Sequence, residues 1–293
     1  MSDYVRPELL AETDWLEANL NDPNLRIVDM RGYVRLKTAD NGEQISEYAG
    51  ARAEYVQEHI PGAIYLDWTS DIIDPNDAVP VQVARPEQLA KVLGEAGIGD
   101  EHTIVAYDNH PASQFATRLW WVLKLYGHDK VKVLNGGLAK WEKENRPLTS
   151  DVELYQPATF SPKPRPEWRA TYQQLLEKIG NPAIQIVDAR DEGQYKGTIR
   201  RGKRAGRVPG AVHLPREALI NPETGTFRPA DELKELVTSA GISADKPVVA
   251  YCNGGVAATA VLFSLSLLGF DQLTNYDGSW NEWSEREELP VEI

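Results

Sequence analysis

Cysteine occurs once in the 293 residues, as Cys252, so the chain can close no intrachain disulfide and build no cysteine-rich zinc site. Histidine is scarce too. His59, His102, His110, His128 and His213 include no pair at metal-ligand spacing, so neither a metal nor any other cofactor is expected. Long apolar runs are missing: the best, residues 256–270, is broken by Thr259, Ser264 and Ser266 and falls short of the roughly 18 residues of a membrane span. The opening MSDYVRPELL lacks the basic start and greasy core of a secretory signal. Positive charge is in the minority, with 31 Lys and Arg against 44 Asp and Glu and a net charge of −13. That balance argues against nucleic acid or an anionic membrane as a partner. These absences together lead us to expect a cytoplasmic protein. What is present is ordinary for a globular fold, with 42% apolar and 26% charged residues over a length that suits two domains.

The chain repeats itself. IVDMR (residues 27–31) returns as IVDAR (186–190), and HIPGAIYL (59–66) as RVPGAVHL (207–214). AGIGDEHTIVAYD (96–108) returns as AGISADKPVVAYC (240–252), and LNGGLAKWEKENRP (134–147) echoes as YDGSWNEWSEREELP (276–290). The order is kept and the offset stays near 142–159 residues, which means two homologous domains rather than a solenoid. The intervening stretch carries Pro157, Pro162, Pro164 and Pro166 and reads as a stiff linker. The expected divisions are 1–149, 150–169 and 170–293.

In each copy short β-branched runs alternate with helical spacing that ends in glycine. That alternation predicts an α/β fold, each domain a mostly parallel sheet with helices on both faces. In such sheets the chemistry sits beyond the carboxyl ends of the strands.

Cys252 stands at such an end. Val248 to Tyr251 is a buried-strand run, and Asn253, Gly254, Gly255, Val256 and Ala257 lead into a helix expected to start near Val256. Two glycines allow a tight turn that aims N–H groups inward, and a helix start adds unpaired N–H groups and a positive dipole end. A thiolate there is stabilised, as is a charged group carried on its sulfur. A lone cysteine is also a common core residue, but strand end, glycine turn and helix start together favour a nucleophile.

These motifs, VDMR and VDAR, HIPGA and RVPGA, YDN before a WW helix, LNGGLAKW and the loop CNGGVA, resemble the tandem-domain rhodanese family, the thiosulfate and 3-mercaptopyruvate sulfurtransferases. The resemblance covers nearly the whole chain. It implies two rhodanese-like domains, with sulfur carried as a persulfide on Cys252. It implies a small anionic donor and a cyanide, thiol or protein acceptor. Asp108 stands at the first-domain position matching Cys252, so the first domain is expected to be catalytically silent and a packing partner. Inert binding modules and persulfide relays to a protein acceptor also occur on such domains.

Departures from the family pattern set the remaining expectations. Ala258, six residues after the cysteine, stands where related phosphatase loops carry a phosphate-gripping arginine. Asn253 and Gly254 match neither the basic loop of thiosulfate-type members nor the serine-containing loop of mercaptopyruvate-type members. His59 matches a family histidine, either as part of a relay or as a prop for its Pro-Gly turn. Gln194 occupies a donor-binding arginine position. Arg200, Arg201, Lys203, Arg204 and Arg207 form a basic cluster, an anion funnel or a solvated loop. Gln194, Arg201, Lys203, Arg204 and His59 are the candidate donor-binding residues, and thiosulfate is the expected donor. Trp120, Trp121, Trp141, Trp280 and Trp283 read as packing. Asp29 and Asp188 read as loop-fixing residues rather than acids or bases.

Overall fold

A computed structural model describes residues 3–40 and 42–293. In the first half the strands are β1 (Leu10–Ala11), β2 (Leu25–Asp29), β3 (Gly32–Thr38), β4 (Gln44–Gly50), β5 (Ala63–Tyr65), β6 (Thr103–Tyr107) and β7 (Val131–Leu134). The helices are α1 (Thr13–Ala18), α2 (Arg52–Gln57), α3 (Pro86–Glu95), α4 (Gln114–Leu125) and α5 (Gly137–Lys143). The second half holds β8 (Arg169–Ala170), β9 (Gln185–Asp188), β10 (Val212–His213), β11 (Val248–Tyr251) and β12 (Leu273–Tyr276). Its helices are α6 (Tyr172–Leu176), α7 (Glu192–Tyr195), α8 (Ala230–Ser239), α9 (Ala258–Leu267) and α10 (Ser279–Trp283).

Each half carries a five-stranded sheet, ordered β1-β7-β6-β2-β5 and β8-β12-β11-β9-β10. All pairings within both sheets are parallel. The two orders are the same topology, so the sequence repeat is a repeat of structure. Alternation along the strands divides the faces. Ile104 and Ala106 of β6, with Val248 and Ala250 of β11, enter one core that runs through both halves. Val105 and Tyr107 face a separate first-half core, and Val249 and Tyr251 a separate second-half core. Helices α4, buried at every position but Lys124, and α9, buried along its whole length, pack against each other in the shared core. Trp120, Trp121, Trp141, Trp280 and Trp283 are all buried, as packing residues should be.

One element has no counterpart in the repeat. Strands β3 and β4 form an antiparallel hairpin that leaves the first sheet and reaches the second half. Gln44 pairs there with Arg201, its N–H donating to the Arg200 carbonyl at 3.0 Å. Gly32 and Gly50 allow the crossing, because a Cβ at either would stand within 2.5 Å of Trp68, Tyr65 or Asp67 side-chain atoms. The proline-rich stretch 151–165 has no regular structure and is strapped to the first half, through bonds such as Ala158 N–H to Gly94 O and Lys163 N–H to Tyr126 O.

Candidate active site

The Cys252 loop is shaped by what lies beneath it. Ser279, held at a φ of 51°, accepts the N–H groups of both Cys252 and Gly255 at 3.0 Å and donates to Tyr276 O at 2.8 Å. Trp280 N–H and Asn281 N–H then bond the carbonyls of Cys252 and Asn253. Gly255 has a φ of 71°, and a Cβ there would lie 2.6 Å from Asp277 Oδ1, so only glycine fits. The N–H of Gly255 is therefore spent on Ser279 rather than aimed inward. Among the described residues, the N–H groups of Asn253, Gly254, Val256 and Ala257 bond no acceptor in the protein. The helix begins at Ala258, two residues later than its sequence predicts.

Cys252 is 2% exposed and opens into a cavity of about 120 Å³. The second half contributes Asn253, Gly254, Val256, Ala257, Asp191, Gln194, Arg201 and Arg216 to its wall. The first half contributes Val34, Leu36 and Tyr48 from the hairpin, Val81 from a loop, His110 from the loop matching that of Cys252, and Gln114 from the start of α4. The first domain is thus more than a packing partner, because it builds one side of the cavity.

The candidate residues separate. Gln194 and Arg201 line the cavity. The Gln194 amide donates to Asp191, which leaves its carbonyl oxygen buried without a partner, as is that of Asn253. Arg201, 9% exposed, donates to Ser46 Oγ, and burial lowers its pKa. The other three candidates are not brought to the cavity. Lys203 points to the surface and pairs with Glu285 at 3.3 Å. Arg204 spends its guanidinium on the carbonyls of Trp283, Ser284, Arg286 and Leu289. His59 is buried in the first half, 2.6 Å from Tyr55 O and 3.2 Å from Asp151 O, so it props its turn. The remaining basic residues are engaged as well: Arg207 with Glu292, and Arg200 4.0 Å from Glu43. The stretch is an ordered brace that places one arginine at the site, not a funnel of five.

Asp108 follows β6 as Cys252 follows β11. Its carboxylate accepts N–H groups of His110 at 2.9 Å, Phe115 at 2.8 Å and Ala116 at 2.9 Å, and burial pushes its pKa up to about 7. Those bonds fix the loop that carries His110. His110 Nδ1 accepts the Ala112 N–H at 3.0 Å, which leaves the proton of the neutral ring on Nε2. Burial, with Arg216 nearby, pushes its pKa down to about 4. Asp29 and Asp188 are bound by Arg31 with Tyr107 and by Arg190 with Tyr251, the tyrosine hydroxyls at 2.6 Å in both. They hold strand ends in place, as their sequence positions suggested.

His110, Gln114, Tyr48, Val81 and Arg216 escaped sequence reasoning. The first four lie on the other domain. Arg216 follows the RVPGAVHL motif at a place where only the fold shows which way the chain turns. Among the described residues there is no cluster of three metal-ligating side chains and no helix long and apolar enough to cross a membrane.

Comparison with known proteins gives a consistent picture. A family model for the rhodanese-like domain matches residues 12–144 and again 171–286. The sulfur carrier protein TtuD of Thermus thermophilus is 33% identical over 301 residues, covering 98% of each chain. A 3-mercaptopyruvate sulfurtransferase of Escherichia coli K12 is 32% identical over 282 residues, covering 95% of this chain and 96% of its own. The crystal structure of SseA, a 3-mercaptopyruvate sulfurtransferase from Escherichia coli, aligns with a TM-score of 0.80 at 29% identity, covering 93% of this chain and 98% of that one.

Proposed function

This chain belongs to the rhodanese family of sulfurtransferases, and on that premise we propose that it moves sulfane sulfur from thiosulfate to cyanide or a thiol through a persulfide on Cys252. The observation that carries this reading is the Cys252 sulfur in a small cavity with unpaired loop N–H groups and a buried arginine. The thiolate attacks the outer sulfur of thiosulfate. A new S–S bond forms, the donor's S–S bond breaks, and its electron pair leaves with sulfite. An acceptor nucleophile then attacks the outer persulfide sulfur and returns Cys252 as thiolate. The free N–H groups of Asn253, Gly254, Val256 and Ala257 supply fixed dipoles for the charge carried on sulfur in both steps.

Thiosulfate is favoured over 3-mercaptopyruvate by position 254. Mercaptopyruvate leaves an enolate that needs a proton, whereas sulfite leaves as a stable anion. A side chain at Gly254 would begin 2.6 Å from Val81 Cγ2 and 3.1 Å from Asn281 Nδ2, so the loop has no room for a proton-relaying serine. The cytoplasm is the compartment that a single free thiol suits. Comparing kcat/KM for the two donors at equal salt tests the choice. Thiosulfate should lead, and a tenfold preference for mercaptopyruvate would reverse it.

A further inference from the structure

Thiosulfate is a dianion, and the cavity needs cations to hold it. Gln194 is neutral, and its amide is tied to Asp191. Arg201 is committed to the hairpin through Ser46. Arg216 is placed differently. It follows β10 at the start of a 3₁₀ turn, Arg216–Leu219, and its side chain, 22% exposed, lines the cavity that holds Cys252. One terminal nitrogen pairs at the rim with Glu217 at 2.6 Å, and its Nε is buried with no acceptor. A buried guanidinium N–H without a partner is costly, and an arriving acceptor removes that cost. Arg216 also lies close enough to His110 and Arg201 to disfavour positive charge on both. Of the carboxylates near these two guanidiniums, Asp191 has both oxygens already accepting from Gln194, and Glu217 takes a terminal nitrogen of Arg216 outside the lining. What the arrangement lacks is an acceptor for the Arg216 Nε–H, which an entering anion supplies.

We propose that Arg216 is the specificity-determining residue for the sulfur donor, its guanidinium holding the oxyanion end of the molecule whose sulfur Cys252 attacks. His110 closes the same pocket from the first domain with a neutral Nε2–H donor. The proposal rests on the sulfur-transfer reading, and its test separates the two. Iodoacetate and iodoacetamide alkylate a thiolate with nearly the same shape and differ in charge, so the ratio of their rates on Cys252 reports the local cation and is insensitive to thiolate fraction. In Arg216→Ala we expect that ratio to fall at least about fivefold, and the thiosulfate KM to rise about tenfold with kcat within about threefold. Arg216→Lys should recover part of both losses. An unchanged ratio with KM within about twofold would overturn the assignment. An equal slowing of both reagents would do the same, since that marks a structural disturbance. A wild-type protein that takes no sulfur from thiosulfate or 3-mercaptopyruvate would instead sink the functional reading, while the alkylation ratio would still judge Arg216.

Discussion

At the scale of single residues, the first-domain loop carries two groups whose titrations oppose each other. His110 is pushed down to about 4 from an ordinary 6.5, so its contribution to stability is full above 6.5 and is lost as pH falls toward 4. Asp108 is pushed up to about 7 from 3.8, so the folded protein holds a proton that the unfolded chain lacks, and stability falls as pH rises between those values. Between about pH 4.5 and 6.5 the two slopes cancel in the wild type. In His110→Phe only the Asp108 slope remains. Relative to wild type, that variant should lose about 1.4 kcal/mol of unfolding free energy per pH unit across the window, measured by urea denaturation. Parallel pH profiles for the two proteins would contradict this account. Lys203 gives a simpler case. It sits outside the cavity in an exposed ion pair, so Lys203→Ala should leave the thiosulfate KM within about twofold. A tenfold rise would return the basic stretch to the donor site.

At the scale of elements, the loop before α3 meets the cysteine loop where Val81 faces Gly254. Val81 has a φ of 59°, a strained conformation for a β-branched residue, and its side chain occupies the space above Gly254. Gly254→Ser alone should reduce thiosulfate kcat/KM at least about tenfold by forcing the two loops apart. Val81→Ala in the same chain should restore much of it, and steady-state kinetics on the three variants would show this. Full activity of the single variant would mean that the contact yields easily. Strands β2, β6, β7, β9, β11 and β12, with helices α3, α4, α8 and α9, are legible because they are β-branched runs and helical spacings repeated at a near-constant offset, whereas the edge strands β1, β5, β8 and β10, two or three residues long, carry too little pattern to be read. The hairpin β3–β4 was not read, although VRLKT and ISEYA alternate around Asp40-Asn41-Gly42, a strong turn signal. It lies outside the repeat, so the second copy holds no counterpart to mark it. The cysteine loop was legible in outline, while the Ser279 anchor, some 27 residues away, depends on a strand pairing that no local pattern states.

At the scale of the whole molecule, the two halves act as one unit because they share a core and a buried ion pair. Arg118 and Asp277, 2.6 Å apart with side chains at most 1% exposed, link α4 to the turn after β12. Arg118 also donates to Gly255 O and Val81 O, tying the cysteine loop to the first-domain loop above it. Arg118→Ala strands Asp277 without its buried partner, with the half-exposed Arg169 at 3.3 Å and the Val83 N–H at 2.9 Å left on Oδ2. A loss of about 3–5 kcal/mol is expected in chemical denaturation. The wild type should unfold in one transition, and two well-separated transitions would show that the halves are independent. The duplication and the strand-end position of Cys252 are legible because they follow from one chain segment compared with another. The cavity was not, because its far wall comes from residues more than 130 positions before Cys252. The central claim is that Cys252 carries the sulfur, and the most direct measurement is the intact mass of the protein after thiosulfate treatment without acceptor. The wild type should gain the mass of one sulfur, located to the peptide holding Cys252 and removed by cyanide, and Cys252→Ser should gain none. A folded wild type that stays unmodified with every donor offered, or a Cys252→Ser protein that still turns over thiosulfate, would contradict the account.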